Sequence, residues 1–315
     1  MSFHVLTINT AGAYIHVSRG FVVCKYKDLS EKKIPISDLK ILVLATPQIS
    51  FSNQCLARLL ENDITVLHCC ENYQPIGWTI GLDKVVRREA FLNQVSQNKE
   101  FESALWSKIC FQKIHNQLDL LNDLGIILEV QLSENPNIEE ARIARLYWDR
   151  FFNSLTRSIS REKRNAESFE NKALNYGYAV IKTMIYRGIL IHGLLPSLGI
   201  QHKAKFHGHA LVYDLIEPWR PFIDMLFAHF AIAQAETIEN YIEHEILDSS
   251  EELFKEWIQF FMNGLADYKL PEKNFKYKLI DFMDIYILSI MKSFEGFNLN
   301  ELRLPILNDC IKQGK

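Results

Sequence analysis

Residues 171–193, NKALNYGYAVIKTMIYRGILIHG, decide the fold class of the larger part of this 315-residue chain. Drawn as a helix, the segment presents apolar side chains on almost every face, with few charged residues between them. A helix that is apolar all round is covered by other elements and does not lie on a surface. The segment therefore predicts a helix at the centre of a helical domain.

Working outward, helical spacing of apolar residues recurs over 101–121, 138–158, 218–246, 250–264 and 276–294. The first 80 residues differ, because they hold short runs rich in β-branched and aromatic residues: FHVLTI, AYIHVS, GFVVCKY, LKILVLA and ITVLHCC. One helical pattern, at 53–60, interrupts these runs. We predict an α+β protein, with an N-terminal β-sandwich-like domain (1–80) followed by a larger all-α domain (84–315).

Bulk composition restricts function only weakly. The net charge is −3, so charge alone does not indicate a nucleic-acid partner. The six cysteines form no CxxC pair, and no run of 18 apolar residues or secretory leader is visible. We therefore expect a reduced, cytoplasmic protein without a membrane segment.

Charge is distributed unevenly along the helical part. Residues 142–164 carry seven basic side chains against two acidic ones, and residues 236–256 carry eight acidic side chains against one lysine. Two solvated helix faces would explain both segments. A surface that contacts phosphates is the alternative for the basic segment.

Three stretches hold the side chains best suited to chemistry. Glu140 heads an otherwise apolar helical stripe, His202 follows the break after the buried helix, and Asp214 and Glu217 are three residues apart in LVYDLIEPWRPFID. Each also has a plain structural explanation: Glu140 would favour a helix N-terminus, His202 would be an ordinary hydrogen-bonded residue, and the other two acids would pair with Arg220. The spacing does not decide between these readings.

If the three carboxylates and the imidazole lie close together, they form a set of ligands typical of a divalent metal ion. Carboxylates with one imidazole favour Mg²⁺ or Mn²⁺, and an ion of this kind can bind a phosphodiester and activate a hydroxyl. The sequence has no Gly-rich phosphate loop and no GxSxG, so NTP hydrolysis, nicotinamide chemistry and serine hydrolysis find no support.

Several motifs occur in an order typical of one family. They are E-x3-A-x2-Y at Glu140, Ala144 and Tyr147; ALNYGYAV after Asn171; Gly-x-x-His at Gly199 and His202; and D-L-x-E-x-x-R-P from Asp214 to Pro221. Upstream lies WSKICFQKIHNQ, residues 106–117. With this ordered set, nearly the whole chain resembles the CRISPR-associated endonuclease/integrase of the spacer-acquisition complex, especially the members found beside type II, single-effector systems.

The resemblance implies a set of site residues. Glu140, His202 and Glu217 would be ligands of Mg²⁺ or Mn²⁺, with Asp214 as a supporting catalytic acid. Where the family often has Gly after the catalytic Glu, this chain has Ala141, and a second acid, Glu139, precedes Glu140. A set of basic side chains would hold DNA phosphates: Arg142, Arg145, Arg157, Arg161, Lys163 and Arg164.

The resemblance also implies the function and the partners. The chain would capture short double-stranded DNA and insert it into a repeat array by metal-dependent transesterification. Its partners would be the spacer DNA and the array, a second copy bound through the β domain, a small ferredoxin-like companion subunit and, as a candidate, the type II effector nuclease. A non-catalytic DNA-binding scaffold subunit is the competing class, and an unrelated helical enzyme without DNA affinity is a third.

The apolar runs LKILVLA and ITVLHCC bear on the predicted dimer. They contain few charges, so they would either fill the core of their own domain or cover a partner surface. The residues alone favour the first explanation, whereas the resemblance favours a dimer built through the β domain.

Overall fold

The computed structural model describes residues 5–71, 73, 75–81, 88–96, 98–155, 159–162, 166–203, 208–235 and 247–312, without the side chains of 247–251. The chain forms two compact units, Met1–Asp83 and Lys84–Lys315. We describe each unit by itself.

The first unit contains two four-stranded sheets. Its strands are β1 (Val5–Ile8), β2 (Tyr14–Ser18), β3 (Phe21–Lys25), β4 (Glu31–Pro35), β5 (Ile41–Leu44), β6 (Ser50–Phe51), β7 (Thr65–Cys69) and β8 (Pro75–Thr79). One sheet has the order β1-β5-β7-β8, with the first three strands parallel and β8 antiparallel to β7. The other has the order β4-β3-β2-β6, antiparallel except for the β2–β6 pair.

Both sheets contribute to one apolar core. Helix α1 (Asn53–Glu61) begins where the Ser52 hydroxyl accepts a hydrogen bond from the amide of Cys55, and it turns Leu59 inward. Leu6 and Val66 of the first sheet and Ile15 of the second lie in the same core. The N-terminal sandwich-like architecture is therefore confirmed, although the parallel order of β1, β5 and β7 was not predicted.

The runs LKILVLA and ITVLHCC each contribute one face to this core, through Leu39, Leu42, Leu44, Ile64 and Val66. Every residue of β5 is buried, and so are all residues of β7 except the half-buried His68. Burial within their own unit therefore explains the face of each strand that lies in this core. The predicted dimer receives no support from these two strands.

The second unit is mostly helical. Its helices are α2 (Arg88–Ser96), α3 (Lys99–Asp123), α4 (Pro136–Ser154), α5 (Phe169–Ile191), α6 (Ala210–Leu215), α7 (Arg220–Ala233), α8 (Leu247–Asp267) and α9 (Leu279–Gly296). A 3-10 turn, Glu217–Trp219, joins α6 to α7. The predicted helix over 218–246 ends at Ala233 in its described part, and residues 236–246, with most of the acidic segment, lie outside the described residues.

Helix α5 is the predicted central helix. It contacts α6, α7, α8 and α9, and sixteen of its residues are buried, which is why the segment is apolar all round. Gly177 is needed for this packing, because a Cβ at that position would lie 2.5 Å from Cγ2 of Ile223 on α7. The Gly-Tyr motif of this helix therefore has a packing reason.

A small sheet in the second unit corrects the expectation of an all-α domain. Strands β9 (Tyr268–Glu272), β10 (Phe275–Lys278) and β11 (Ile311–Lys312) are antiparallel, in the order β10-β9-β11. Strand β10 (FKYK) alternates apolar and charged residues, but it overlaps the helical spacing predicted from residue 276 onward; β9 contains Pro271, and β11 has only two residues. Within the described ranges, no helix is long and apolar enough to cross a membrane.

Candidate functional site

The second unit contains a cleft of about 550 Å³, which we call the central cleft. Helices α3 and α4, the segment before α6 and the start of α7 form its walls. It is lined by Trp106, Lys113, Gln117, Asn137, Glu140, Ala144, Trp148, Arg161, Gln201, His202, Lys203, Glu217, Arg220 and Asp224. Glu140, His202 and Glu217, which are far apart in the sequence, thus line one cleft.

Two of these acids share a cation. The ammonium of Lys113 lies 2.5 Å from Oε1 of Glu140 and 2.5 Å from Oε2 of Glu217. The Lys113 side chain is only 8% exposed, so it reaches the carboxylates from within the protein. Burial would lower its pKa, but the two carboxylates outweigh burial and raise it. Lys113 therefore stays charged between them.

Glu217 is held from a second side by Arg220. Glu217 and Arg220 are three residues apart in the sequence, and the 3-10 turn between them brings their side chains together. The Arg220 Nε donates to Oε1 of Glu217 at 2.9 Å. Burial alone would raise the pKa of Glu217, whereas Arg220 and Lys113 together lower it to about 2. Of the predicted Arg220 pairings, the one with Glu217 is present and the one with Asp214 is absent.

Asp214 supports the His202 loop. It is fully buried and accepts hydrogen bonds from the backbone amides of Ile200, Gln201 and His202 at 2.6–3.1 Å. Its Oδ1 also lies 2.6 Å from Nδ1 of His202, and this bond raises the pKa of the imidazole. The carboxylate can only accept, so Nδ1 carries the proton and Nε2 keeps the lone pair.

Gly199 makes this close approach sterically allowed. A Cβ at Gly199 would lie 2.8 Å from Oδ2 of Asp214 and 2.4 Å from the carbonyl oxygen of His202. The Gly-x-x-His spacing therefore reflects a loop folded tightly around the Asp214 carboxylate.

Asp224 forms a second buried acidic centre on the cleft wall. Tyr147 donates to its Oδ2 at 2.6 Å, and Tyr178 donates to its Oδ1. Burial raises the pKa of Asp224 to about 6, against the lowering effect of the two hydroxyls. The guanidinium of Arg220 lies 4.9 Å from the centroid of the Tyr178 ring and so links the two acidic centres.

The two neighbouring acids on α4 have different surroundings. Glu139 is buried away from the cleft and binds Arg142 at 2.5 Å and Ser133 at 2.9 Å. Glu140 lines the cleft, with 36% of its side chain exposed. Glu140 is thus the acid placed beside Glu217, and its role as a ligand stays a prediction.

The predicted phosphate-binding cations divide into three groups. Arg145 is exposed, whereas Arg142 is bound to Glu139 and to the carbonyl oxygen of Gln131. Arg161 lines the cleft but binds Asn171 at 2.9 Å and Asn175 at 2.6 Å, and its guanidinium lies over the rings of Trp148 and Tyr178. The other three lie outside the described residues: Arg157, Lys163 and Arg164.

Sequence reasoning did not single out Lys113, Gln117, Trp106 or Asp224, although all four line the cleft. A signal was present, since Lys113 and Gln117 are four residues apart in WSKICFQKIHNQ and therefore share a face of α3. The same motif contains Asn116, whose amide donates to the carbonyl oxygens of Pro218 and Pro305. It thus combines cleft residues with one that anchors the Glu217 turn.

The donor set fits a divalent cation. Among the described residues, no three His, Cys, Asp or Glu side chains converge closely enough to hold an ion as they stand. However, Glu140 and Glu217 already hold one cation between them, and Oε2 of Glu217 is buried without a well-formed hydrogen bond. With His202 on the same cleft, the oxygen and imidazole ligands that Mn²⁺ or Mg²⁺ accepts are present.

Comparison with known proteins identifies relatives. The family model of the CRISPR associated protein Cas1 matches residues 6–135 and 131–245. A CRISPR-associated endonuclease Cas1 from Neisseria meningitidis serogroup C is 28% identical over 207 residues, 62% of this chain. That alignment spans 66% of the relative's own length, just under two thirds.

Two solved structures share the fold. A casposase bound to its integration product superposes with a TM-score of 0.75 and 16% identity, over 93% of this chain and 91% of the casposase. A Cas6-RT-Cas1–Cas2 complex superposes with a TM-score of 0.70 and 16% identity, over 96% of this chain and 36% of the other.

Proposed function

This chain belongs to the Cas1 family of CRISPR-associated proteins, and we propose that it is an integrase and endonuclease that inserts short double-stranded DNA into a repeat array. The observation that carries the proposal is the sharing of one cation by Glu140 and Glu217 in a cleft that His202 also lines. These are the three family-motif residues for which the resemblance implies metal binding.

Glu140, Glu217 and His202 would hold Mg²⁺ or Mn²⁺. When bound, the ion would neutralise charge on a phosphodiester and lower the pKa of an attacking hydroxyl. Arg220 fixes the Glu217 carboxylate through Oε1, and Asp214 fixes the imidazole by accepting a hydrogen bond from Nδ1. Both contacts prepare ligand atoms before the substrate arrives.

The proposed reaction is a transesterification. The 3′-hydroxyl of the incoming DNA attacks a phosphodiester at the repeat boundary and forms a new P–O bond. The P–O bond to the 3′-oxygen of the adjoining strand breaks, and that oxygen leaves as a hydroxyl, which balances the proton lost by the attacking group. Water in place of the 3′-hydroxyl would give endonuclease activity from the same residues.

A second cleft extends the surface available to DNA. It measures about 710 Å³ and shares Trp106, Asn137, Gln201 and Lys203 with the central cleft, and it adds Lys99 together with the acids Glu102 and Glu134. Cations along such a groove attract phosphates without reading sequence. We include Lys99, Lys203 and Arg145 in the proposed DNA path, with Arg161 at the cleft wall.

A non-catalytic DNA-binding scaffold is the second candidate function. The observation that favours it is the Lys113 ammonium, which balances both carboxylates without a metal ion. Metal-dependent cleavage of branched DNA by the purified protein would exclude the scaffold, and its absence would favour it.

The central test is substitution of the proposed ligands. Glu140→Ala, His202→Ala and Glu217→Ala should each lower strand transfer in Mg²⁺ or Mn²⁺ by more than about 100-fold, since even residues that only orient ligands cost about 10- to 100-fold. Glu139→Ala is the matched control, because this neighbouring acid binds Arg142 outside the cleft. Near-normal integration by one of the three variants would remove that residue from the site.

The proposed partners follow from the family. A solved relative of the same fold occurs in a Cas1–Cas2 complex, and we propose a small companion subunit of that kind here, together with a homodimer and the type II effector nuclease. The dimer would use the exposed part of the β domain, which includes Tyr14 and Phe21. Light scattering should give twice the 36.7 kDa chain mass at micromolar concentration. A monomer would contradict the dimer.

A further inference from the structure

We propose that Lys113 is a built-in counter-cation that occupies the position between Glu140 and Glu217 and gives it up when a divalent ion binds. The inference rests on the proposed function, because it concerns the same metal ligands. It adds a role for a residue on α3: the metal must displace an ammonium of the protein itself.

The carboxylate pair is already balanced in charge. Glu140 and Glu217 face two cations, Lys113 at 2.5 Å from each and Arg220 at 2.9 Å from Glu217. Two negative charges thus meet two positive ones. A divalent ion added to this arrangement would create an excess of two positive charges beside the buried Lys113 and Glu217 side chains, where like charges repel more strongly than in water.

Of the two cations at the carboxylates, Lys113 is the one that can move away. The guanidinium of Arg220 is held between Glu217 and the face of Tyr178, so its movement would break both contacts. Lys113 ends in a compact ammonium on a flexible four-carbon stem, and the two carboxylates are the only ion pairs it forms with described residues. Lys113 is therefore the mobile charge.

The side chain of Gln117 offers the displaced Lys113 ammonium a hydrogen-bond acceptor. Gln117 lies one turn along α3 from Lys113, lines the same cleft and is only 2% exposed. Its Oε1 accepts no hydrogen bond from any described residue. A buried carbonyl oxygen without a donor is costly, and the Lys113 ammonium is a donor within reach of this helix face.

Calorimetric titration of the full-length protein with Mn²⁺, without DNA, tests the exchange. Lys113→Met should bind Mn²⁺ about tenfold more tightly than wild type, within the usual range of coupling between two ligands. Lys108→Met is the matched control: it removes the same charge from the same helix, but Lys108 is exposed and does not line the central cleft, so it should change the affinity far less. Equal or weaker binding by Lys113→Met would overturn the proposal.

A measurement on wild type keeps the test independent of the folding of the variant. Trace acylation followed by mass spectrometry should show a several-fold rise in Lys113 modification on addition of Mn²⁺, while Lys108, already exposed on α3, should not change. If the protein binds Mn²⁺ but the reactivity of Lys113 does not change, the displacement is refuted and the metal site is not. Wild-type protein that binds no Mn²⁺ would instead refute the metal site of the proposed function.

Discussion

Two buried carboxylates on one cleft, Glu217 and Asp224, lie in opposite electrostatic surroundings. Glu217 is paired directly with the cations Lys113 and Arg220, which lower its pKa to about 2 against the effect of burial. Asp224 accepts hydrogen bonds from two neutral tyrosine hydroxyls, and burial raises its pKa to about 6 although these hydroxyls and two more distant guanidinium groups lower it. Both side chains are almost fully shielded from water. The comparison shows that the charge of the partner, and not burial alone, decides whether a buried acid keeps its charge.

The largest difference between the two acids should appear on neutralisation. Glu217→Gln leaves Lys113 and Arg220 facing a neutral amide and should lower the free energy of unfolding by about 3 kcal/mol in the absence of metal. Asp224→Asn removes a charge whose burial is costly, and should lower it by about 1 kcal/mol or less at pH 7. Urea unfolding of both variants would measure this, and equal losses would contradict the comparison.

The pH dependence of stability should have opposite signs at the two acids. A depressed pKa gives Glu217 a stabilising contribution that is present above pH 4.5 and is lost as the pH falls towards 2. Because the pKa of Asp224 is raised on folding, the free energy of unfolding falls as the pH rises from 3.8 through about 6.

The Asp224 contribution can be isolated by difference. Between pH 4 and pH 6, wild type should lose about 2 kcal/mol of unfolding free energy relative to Asp224→Asn, at about 1.4 kcal/mol per pKa unit. Urea titrations at several pH values would measure the difference. Parallel pH profiles for the two proteins would mean that Asp224 is already charged at pH 4.

We expect a smaller loss of unfolding free energy when the two tyrosines that bind Asp224 lose their hydroxyls. Tyr147→Phe and Tyr178→Phe each remove one hydroxyl donor from Asp224 and should each lower the free energy of unfolding by about 1.5 kcal/mol. The matched control is Tyr277→Phe on β10, which should be nearly neutral. If both variants matched that control, the two hydroxyls would not stabilise Asp224.

The smallest expected effect concerns cations outside the two acidic centres. Arg145 is exposed, so Arg145→Ala should reduce the slope of log affinity for double-stranded DNA against log salt by about 0.9 if it contacts one phosphate. Arg142→Ala should change the slope less, because its guanidinium is held by Glu139. An unchanged slope for Arg145→Ala would make it an ordinary solvated residue.

Much of the fold was predictable because burial leaves a local pattern. The apolar segment at 171–193 predicted the central helix, and the β-branched runs before residue 80 predicted the strands of the sandwich. The sheet of β9, β10 and β11 was missed, because the helical spacing predicted over 276–294 overlaps β10, β9 contains Pro271 and β11 has only two residues. The parallel order of β1, β5 and β7 was missed because strand pairing depends on residues distant in sequence.

The candidate site was predicted only through motifs. Glu140, His202 and Glu217 were selected by their order along the chain, and the structure places them on one cleft, while their role as ligands stays a proposal. The bonds of Arg142 with Glu139 and of Arg161 with two asparagines were not predicted. A count of basic residues cannot tell a free guanidinium from one already bound within the protein.

The sequence by itself determined which segments are apolar, where helical and strand periods occur, and which side chains could act as ligands. Only the tertiary structure decided that Lys113 lies between Glu140 and Glu217, and that Asp214 holds the His202 loop while Asp224 binds two tyrosines. The physical reason is that periodicity is a property of neighbouring residues, whereas the charge and pKa of a buried group depend on atoms within a few ångströms that come from distant parts of the chain.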